Sequence, residues 1–147
     1  MIVFVTGTGT DIGKTVATAA LGVKARAEGL DVTVAKPLQT GEPDGRGDAA
    51  TIETLTGLHT IEMRRYPEPL APNLSARRAG MAVPSPDEIG EWLRSHDSRG
   101  SLLLVEGAGG LLSRWGDDHC LADAAGACGA PLIVVTSLGL GLSLIHI

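Results

Sequence analysis

The chain reads FVTGTGTDIGKT from Phe4 to Thr15, a glycine-rich stretch between an apolar run and a helical pattern. The apolar run Met1–Val5 predicts a buried strand, and Val16–Glu28 carries apolar residues at helical spacing before Gly29. This order is typical of a phosphate-binding loop (P-loop), because backbone N–H groups at a helix N-terminus point at phosphate oxygens. We therefore predict a nucleoside triphosphate site at the start of the first helix.

Two side chains of this loop suit triphosphate chemistry. Lys14 would reach the β- and γ-phosphates, and the Thr15 hydroxyl would coordinate Mg²⁺. The spacing is unusual, because five residues separate Gly7 from Gly13 and the common pattern has four. The loop is therefore one residue longer than usual or begins differently. A glycine turn with an incidental lysine is the alternative, and the adjoining strand and helix count against it.

Composition limits the possible function classes. The 147 residues, 44% hydrophobic and 20% charged, predict one globular domain with a sizeable core. A net charge of −5 gives no electrostatic support for binding nucleic acid or an anionic membrane. The chain has no signal-peptide pattern and no apolar run of about 18 residues, so we expect a cytoplasmic protein. Cys120 and Cys128 are interpreted as free, buried thiols.

Strand and helix patterns alternate along the chain. Further strands are predicted over Asp31–Ala35, Ser101–Val105 and Pro131–Ser137, and helices over Lys14–Glu28, Asp48–Leu55, Pro86–Ser95 and Leu121–Cys128. Residues 59–74 contain three prolines and are expected to be irregular. The alternation predicts an α/β fold of the P-loop NTPase type, a doubly wound and mostly parallel sheet with helices on both faces.

Polar residues follow the predicted strands at their carboxyl ends, where open parallel sheets bind ligands. Lys36 ends the second strand, and an extended, solvated lysine is the alternative interpretation. Glu106 directly follows the apolar run Leu102–Val105 and precedes a glycine-rich turn. Asp48 begins a short helix, where it could equally serve as an N-cap. The sequence thus predicts that cationic and acidic groups meet the P-loop at one edge of the sheet.

The remaining candidates for chemistry are weaker. The histidines His59, His96 and His119 lie in loops or polar stretches and are expected to be exposed rather than catalytic. Trp92 lies in a predicted helix and is interpreted as a packing residue.

Taken together, these motifs resemble those of dethiobiotin synthetase, an enzyme family of the biotin pathway. The matching segments are VTGTGTDIGKT (Val5–Thr15), AKPLQTG (Ala35–Gly41), Gly47-Asp48, YPEPLAP (Tyr66–Pro72) and LVEGAGG (Leu104–Gly110). They span nearly all of residues 1–141, and the longer glycine-rich loop is a feature of that family. The combination is more specific than any one motif.

The resemblance implies an ATP-dependent ligase that closes a ring. 7,8-Diaminononanoate takes up CO₂ as a carbamate, which attacks the γ-phosphate of ATP to give a carbamic–phosphoric anhydride. The second amine then closes the cyclic urea of dethiobiotin, releasing ADP and phosphate. Mg²⁺ is the implied cofactor, and the implied assembly is a homodimer with the diamine near the subunit interface.

The resemblance also implies roles for individual residues. Lys14 and Lys36 would be catalytic, and Thr40 would bind the diamine or its carbamate, although a hydroxyl bonded within its own turn is the alternative for Thr40. Mg²⁺ would be held by Thr15, Asp48 and Glu106. The implied ATP-binding set is Asp11, Ile12, Gly13, Lys14, Thr15, Val16, Asp48, Glu106, Gly107, Ala108 and Gly109, with Asp11 standing where Glu is common.

Residues 1–141 are interpreted as a P-loop ATP-binding synthetase domain, incomplete at its C-terminus. In the family resembled, the residues that hold the adenine come later in the chain. The last segment, Leu142–Ile147, reads like the translation of an adapter used in DNA library preparation. We expect this tail to be non-native.

Two other classes of protein share parts of the pattern. A cobyrinate-type amide synthetase has similar glycine-rich and Glu-Gly-Ala-Gly segments, and would add an amidotransferase domain with a catalytic cysteine. A partitioning-type ATPase switch would carry an additional lysine early in the P-loop, and this chain has none before Lys14. The segments AKPLQTG and YPEPLAP favour the dethiobiotin synthetase interpretation.

Overall fold

The computed structural model describes residues 1–42 and 44–138. Within these residues the strands are β1 (Ile2–Gly7), β2 (Asp31–Thr40), β3 (His59–Tyr66), β4 (Ser101–Glu106) and β5 (Leu132–Val135). The helices are α1 (Lys14–Ala27), α2 (Asp48–Thr56), α3 (Pro72–Ala79), α4 (Pro86–His96) and α5 (Leu121–Cys128). The strands form one parallel sheet in the order β3-β2-β4-β1-β5.

Two hydrophobic cores lie on opposite faces of the sheet, because successive side chains of a strand point to opposite sides. On one face Leu102 and Leu104 of β4 pack with Ile52 of α2 and with α1. On the other face Leu103 and Val105 pack with residues of α3, α4 and α5. The predicted doubly wound α/β fold, with helices on both faces, is confirmed.

The connections between strands open a crevice at the carboxyl ends of β1 and β4. From β1 the chain crosses one face through α1 to β2, and from β4 it crosses the other face through α5 to β5. Adjacent strands with connections leaving on opposite sides form a switch point, where α/β sheets bind ligands. Lys14, Lys36 and Glu106 all lie at this edge of the sheet.

The second strand is longer than predicted. The sequence suggested a strand that ends at Ala35, before Pro37, whereas β2 continues to Thr40. Pairing with β4 stops at Ala35, and beyond it β2 pairs only with β3. A proline is tolerated where one side of a strand is unpaired, so Pro37 does not end the strand.

The prediction that residues 59–74 are irregular holds only for residues 67–71 and was wrong for the rest. Residues 59–66 form β3, an edge strand with mostly half-buried or exposed side chains, so it lacks a continuous apolar run. The three prolines follow β3, and Pro72 lies in the first turn of α3. Proline is tolerated there because N–H groups in the first turn have no partner within the helix. The strand predicted over Pro131–Ser137 is shorter, and the tail predicted at Leu142–Ile147 lies outside the described residues.

Across the described part of the chain, none of the helices combines the length and the apolar character needed to cross a bilayer.

Candidate functional site

The P-loop joins β1 to α1 and folds around the side chain of Lys14. Gly13 takes a positive φ of 96° at the N-cap of α1, and Asp11 is also left-handed at 56°. Lys14 is only 7% exposed, and its Nζ donates to the Gly9 carbonyl at 2.8 Å across the loop. Because Gly13 offers no side chain to cap α1, the helix N-terminus can direct its N–H groups toward an anion.

Lys36 is almost fully buried at the carboxyl end of β2, with 2% exposure. Its Nζ donates to Asp48 Oδ2 at 2.5 Å, to Glu106 Oε1 at 3.2 Å and to the Gly107 carbonyl at 3.1 Å. The alternative in which this lysine extends into solvent therefore does not hold. Its ammonium sits between the two carboxylates predicted to bind metal.

The P-loop threonine joins the same cluster from the other side. Thr15 Oγ1 lies 3.0 Å from Asp48 Oδ1 and 2.9 Å from Glu106 Oε1. Asp48 is the first residue of α2, behind the N-cap Gly47, and its carboxylate faces the P-loop rather than capping its own helix. The structure thus brings Thr15, Asp48 and Glu106 together, as the sequence predicted.

The two carboxylates differ in their electrostatic balance. Burial raises the pKa of Glu106 above its ordinary value, and the nearby Lys36 ammonium only partly opposes it. Burial acts on Asp48 in the same direction, but the Lys36 charge and the hydrogen bonds from Lys36 and Thr15 outweigh it and lower the pKa. The ionised form of Glu106 is therefore the less stabilised of the two carboxylates, and another positive charge nearby would favour it.

Burial also lowers the pKa of Lys14, and the neighbouring Lys36 charge adds to this effect. The carboxylates of Glu106, Asp48 and Asp11 oppose the shift. A bound polyphosphate would favour the charged form of Lys14, because an opposite charge nearby stabilises an ammonium.

The cluster has the donor set that Mg²⁺ prefers. One hydroxyl and two carboxylates supply hard oxygens, and Glu106 Oε2 is buried without a hydrogen-bond partner among the described groups. Within residues 1–42 and 44–138 there is no group of three or more His, Cys, Asp and Glu side chains placed to hold a metal. The set therefore resembles magnesium sites whose coordination is completed by phosphate oxygens and water.

A cavity of about 1100 Å³ opens over this cluster. Apart from Ile12, every residue predicted for the site lines it, including Thr40, Val16 and the Gly107–Gly109 backbone. Ile12 instead lies over Gly7, where an added Cβ would be 2.5 Å from Ile12 Cγ2. The cavity is also lined by residues with no role predicted from the sequence, namely Thr10, Gln39, Glu42, Arg46, Gly47, Thr51, Pro69, Leu70, Ala71, Pro72 and Ser113.

One of the three histidines predicted to be exposed departs from that prediction. His59 and His96 are exposed as expected, whereas His119 is 9% exposed and pairs through Nδ1 with Asp118 Oδ1 at 2.8 Å. Its neighbours in sequence are polar, which made it look exposed, but its ring packs against Gly116. His119 does not line the cavity described above.

The structure agrees with the predicted packing of Trp92 and with the free state of the two cysteines. Cys120 and Cys128 are free thiols, although each is partly rather than fully buried. Trp92 packs against the core on the α4 face of the sheet, as expected.

We predict that Gly107→Ala destabilises the fold behind the site by about 1–3 kcal/mol. An added Cβ would lie 2.0 Å from Leu121 Cδ1, and Leu121 is fully buried, so its side chain cannot move without disturbing the core. Gly126→Ala is the matched control, because nothing lies within 4 Å of its added Cβ in α5. Chemical denaturation should show loss only for Gly107→Ala, and equal stability of both variants would refute the packing argument.

Comparison with known proteins gives a consistent family assignment. The family described as an AAA domain matches residues 2–147. Over 140 residues the chain is 53% identical to an ATP-dependent dethiobiotin synthetase of Corynebacterium efficiens, covering 95% of this chain and 64% of the relative. The relatives of the same name from Corynebacterium kroppenstedtii and Streptomyces avermitilis are 53% and 52% identical, with 95% of this chain and 61% and 60% of theirs covered.

The resemblance predicted from the motifs is confirmed by these matches. The chain spans between 60% and 64% of the length of these three relatives.

Proposed function

Because this chain belongs to the family described as an AAA domain, we propose that its cavity binds ATP and carries the phosphate chemistry of a dethiobiotin synthetase. The observation that carries the proposal is that the P-loop residue Thr15 and the buried Lys36 both contact the carboxylates of Asp48 and Glu106. The reaction is an ATP-dependent ring closure, and the enzyme is a ligase. Its substrates are 7,8-diaminononanoate, CO₂ and ATP.

The first chemical requirement is to hold two anions together. The carbamate formed from the diamine and CO₂ is negative, and so is the triphosphate that it must attack. Lys14 and the N–H groups of the P-loop would bind the phosphates, because this loop folds around an ammonium at a helix N-terminus. Positioned charge of this kind, rather than a protein nucleophile, is what phosphoryl transfer needs.

Lys36 would act on the carbamate and on the anhydride formed from it. Its ammonium lies in a buried position, where an electrostatic interaction is stronger than in water. The carbamate oxygen forms a bond to the γ-phosphorus while the bond to the β,γ-bridging oxygen breaks, so ADP leaves. The second amine then attacks the carbamoyl carbon, the C–O bond to phosphate breaks, and a proton is lost as the cyclic urea forms.

Thr40 and the proline-rich segment would bind the diamine. Thr40 ends β2 on the cavity wall, and Pro69, Leu70 and Ala71 line the same space. A hydroxyl suits hydrogen bonding to an amine or a carbamate, and apolar groups suit the aliphatic chain that links the amines to the carboxylate.

Magnesium would be held by Thr15, Asp48 and Glu106 together with phosphate oxygens. When bound there, Mg²⁺ would neutralise charge on the β- and γ-phosphates. Lys36 would then be released from part of its pairing with the carboxylates, since a divalent cation satisfies them instead.

We infer a homodimer with the diamine near the subunit interface, acting in the cytoplasm on small molecules only. The relatives' name favours this synthetase over a cobyrinate-type amide synthetase or a partitioning-type ATPase.

The proposal is tested by supplying the purified chain with ATP, Mg²⁺, 7,8-diaminononanoate and carbon-14 bicarbonate. Labelled dethiobiotin should form in a one-to-one ratio with ADP. ATP hydrolysis that proceeds equally well without the diamine would instead indicate an ATPase switch and overturn the assignment.

Glu106→Gln is expected to raise the Mg²⁺ concentration needed for half-maximal activity by at least about tenfold. The substitution keeps the shape of the side chain but removes the charge from a proposed metal ligand. Even the loss of a residue that only supports a metal ligand lowers metal affinity or activity about 10–100-fold. Titration of Mg²⁺ at saturating ATP measures the effect. Glu62→Gln on β3 is the control, because its carboxylate pairs with Arg65 outside the cluster. An unchanged Mg²⁺ requirement in Glu106→Gln would remove Glu106 from the metal site.

A further inference from the structure

Gln39 lines the cavity and hydrogen-bonds to the backbone of both Asp48 and Thr40. It is 5% exposed near the end of β2, between Leu38 and the proposed substrate-binding Thr40. Its Oε1 accepts the backbone N–H of Asp48 at 3.1 Å, and its Nε2 donates to the Thr40 carbonyl at 3.0 Å. The orientation of the amide is fixed by these partners, since only the oxygen can accept from an N–H.

The bond to Asp48 replaces a cap that α2 lacks. The N-cap of α2 is Gly47, which has no side chain to accept from the first N–H groups of the helix. Gln39 supplies an acceptor from a different element of the fold, so it ties the start of α2 to β2. Gly47 allows this approach, because an added Cβ would lie 2.8 Å from Gln39 Cδ and 2.9 Å from Oε1.

The tie matters because α2 begins with a proposed metal ligand. The Asp48 carboxylate reaches Thr15 Oγ1 at 3.0 Å and Lys36 Nζ at 2.5 Å. Both contacts depend on where the first residue of α2 lies relative to α1, which carries Thr15, and β2, which carries Lys36. The Asp48 side chain is short and has only two torsion angles, χ1 and χ2. It therefore cannot keep its carboxylate oxygens in place if its backbone shifts.

We propose that Gln39 is a positioning residue, which holds Asp48 for metal binding through the backbone of α2. The inference rests on the proposed function, because it takes Asp48 to be a metal ligand. Partners behind metal ligands commonly affect affinity by about 10–100-fold. We expect the low end, about tenfold, because Gln39 reaches the backbone rather than the carboxylate.

The test measures Mn²⁺ affinity by electron paramagnetic resonance in the presence of the nonhydrolysable ATP analogue AMP-PNP, without any need for turnover. Gln39→Met keeps the length of the side chain and removes both hydrogen bonds, and should weaken Mn²⁺ binding about tenfold. Gln39→Glu keeps an acceptor for the Asp48 N–H and should restore affinity to within about threefold of wild type. Thr54→Val removes a hydrogen bond to Ala50 elsewhere on α2 and should leave affinity unchanged.

The outcomes separate this inference from the proposed function. Wild-type chain that binds no Mn²⁺ with AMP-PNP would overturn both. If the wild type binds Mn²⁺ and Gln39→Met binds it equally well, with the same melting temperature, the positioning role alone is overturned. If Gln39→Met does not fold, Gln39→Asn decides: its amide is one methylene too short to reach the Asp48 N–H, and unchanged affinity in that variant would refute the inference.

Discussion

Lys36→Met is expected to lower the rate of ring closure by at least about 100-fold, which corresponds to roughly 2.7 kcal/mol of lost transition-state stabilisation. The proposed role of Lys36 is to stabilise the carbamate and the charge that develops on the anhydride. Its ammonium is buried and held by Asp48, Glu106 and the Gly107 carbonyl. Methionine fills the same space without the charge, so the decrease in rate measures the contribution of the ammonium group. Steady-state assays of dethiobiotin formation at saturating Mg²⁺ measure the change.

The stability of this variant must be measured alongside its activity. Without Lys36 the Asp48 and Glu106 carboxylates face each other unneutralised, and removing one partner of a buried ion pair costs about 3–5 kcal/mol. We expect less here because the Asp48 side chain is 37% exposed. Thermal melts should therefore show a lower melting temperature for Lys36→Met, and added Mg²⁺ should partly restore it. Ring closure near the wild-type rate in a folded Lys36→Met enzyme would remove Lys36 from the mechanism.

Lys14→Ala is expected to weaken ATP binding by about 100-fold or more and to abolish ring closure at ordinary ATP concentrations. Lys14 lies inside the P-loop, 7% exposed, with its ammonium on the Gly9 carbonyl. Phosphates bound by the loop would therefore lose their nearest cation. Calorimetric titration with Mg²⁺ and AMP-PNP measures the affinity without turnover.

Lys24→Ala is the matched control for both lysine variants. Lys24 lies on the same helix as Lys14, its side chain is 76% exposed, and it pairs with Glu28 one turn away. An exposed pair of this kind contributes little, so its loss should leave ATP affinity and rate unchanged. An equal loss in Lys24→Ala would mean that the effect of Lys14→Ala reflects net charge rather than the P-loop.

The elements that surround the site were predictable because their sequence signals are local. Glycine-rich spacing, a buried strand and a helical pattern fix the P-loop and α1, and the apolar run before Glu106 fixes β4. In contrast, β3 is an edge strand with mixed polarity, and its place in the sheet comes from pairing with β2. A strand with no clearly buried face shows neither an apolar run nor a clear alternation in its own sequence.

The contacts of individual site residues were less predictable than their presence. The sequence suggested that Lys36 and the carboxylates share a crevice, but not that Lys36 bridges Asp48 and Glu106 in a buried position. Gln39 belongs to a recognised motif, yet its role depends on Gly47 and α2, which approach it only in the folded chain. His119 shows the same limit, because packing against Gly116 outweighs its polar sequence surroundings.

The most direct test of the central claim follows one oxygen atom through the reaction. The enzyme is mixed with ATP, Mg²⁺, 7,8-diaminononanoate and oxygen-18 carbon dioxide, and the phosphate released is analysed by mass spectrometry. If a carbamate attacks the γ-phosphate in this site, its oxygen leaves with the phosphate, and each phosphate formed with dethiobiotin carries one heavy oxygen derived from carbon dioxide. Phosphate released without that label, or ATP cleaved without dethiobiotin, would contradict the account.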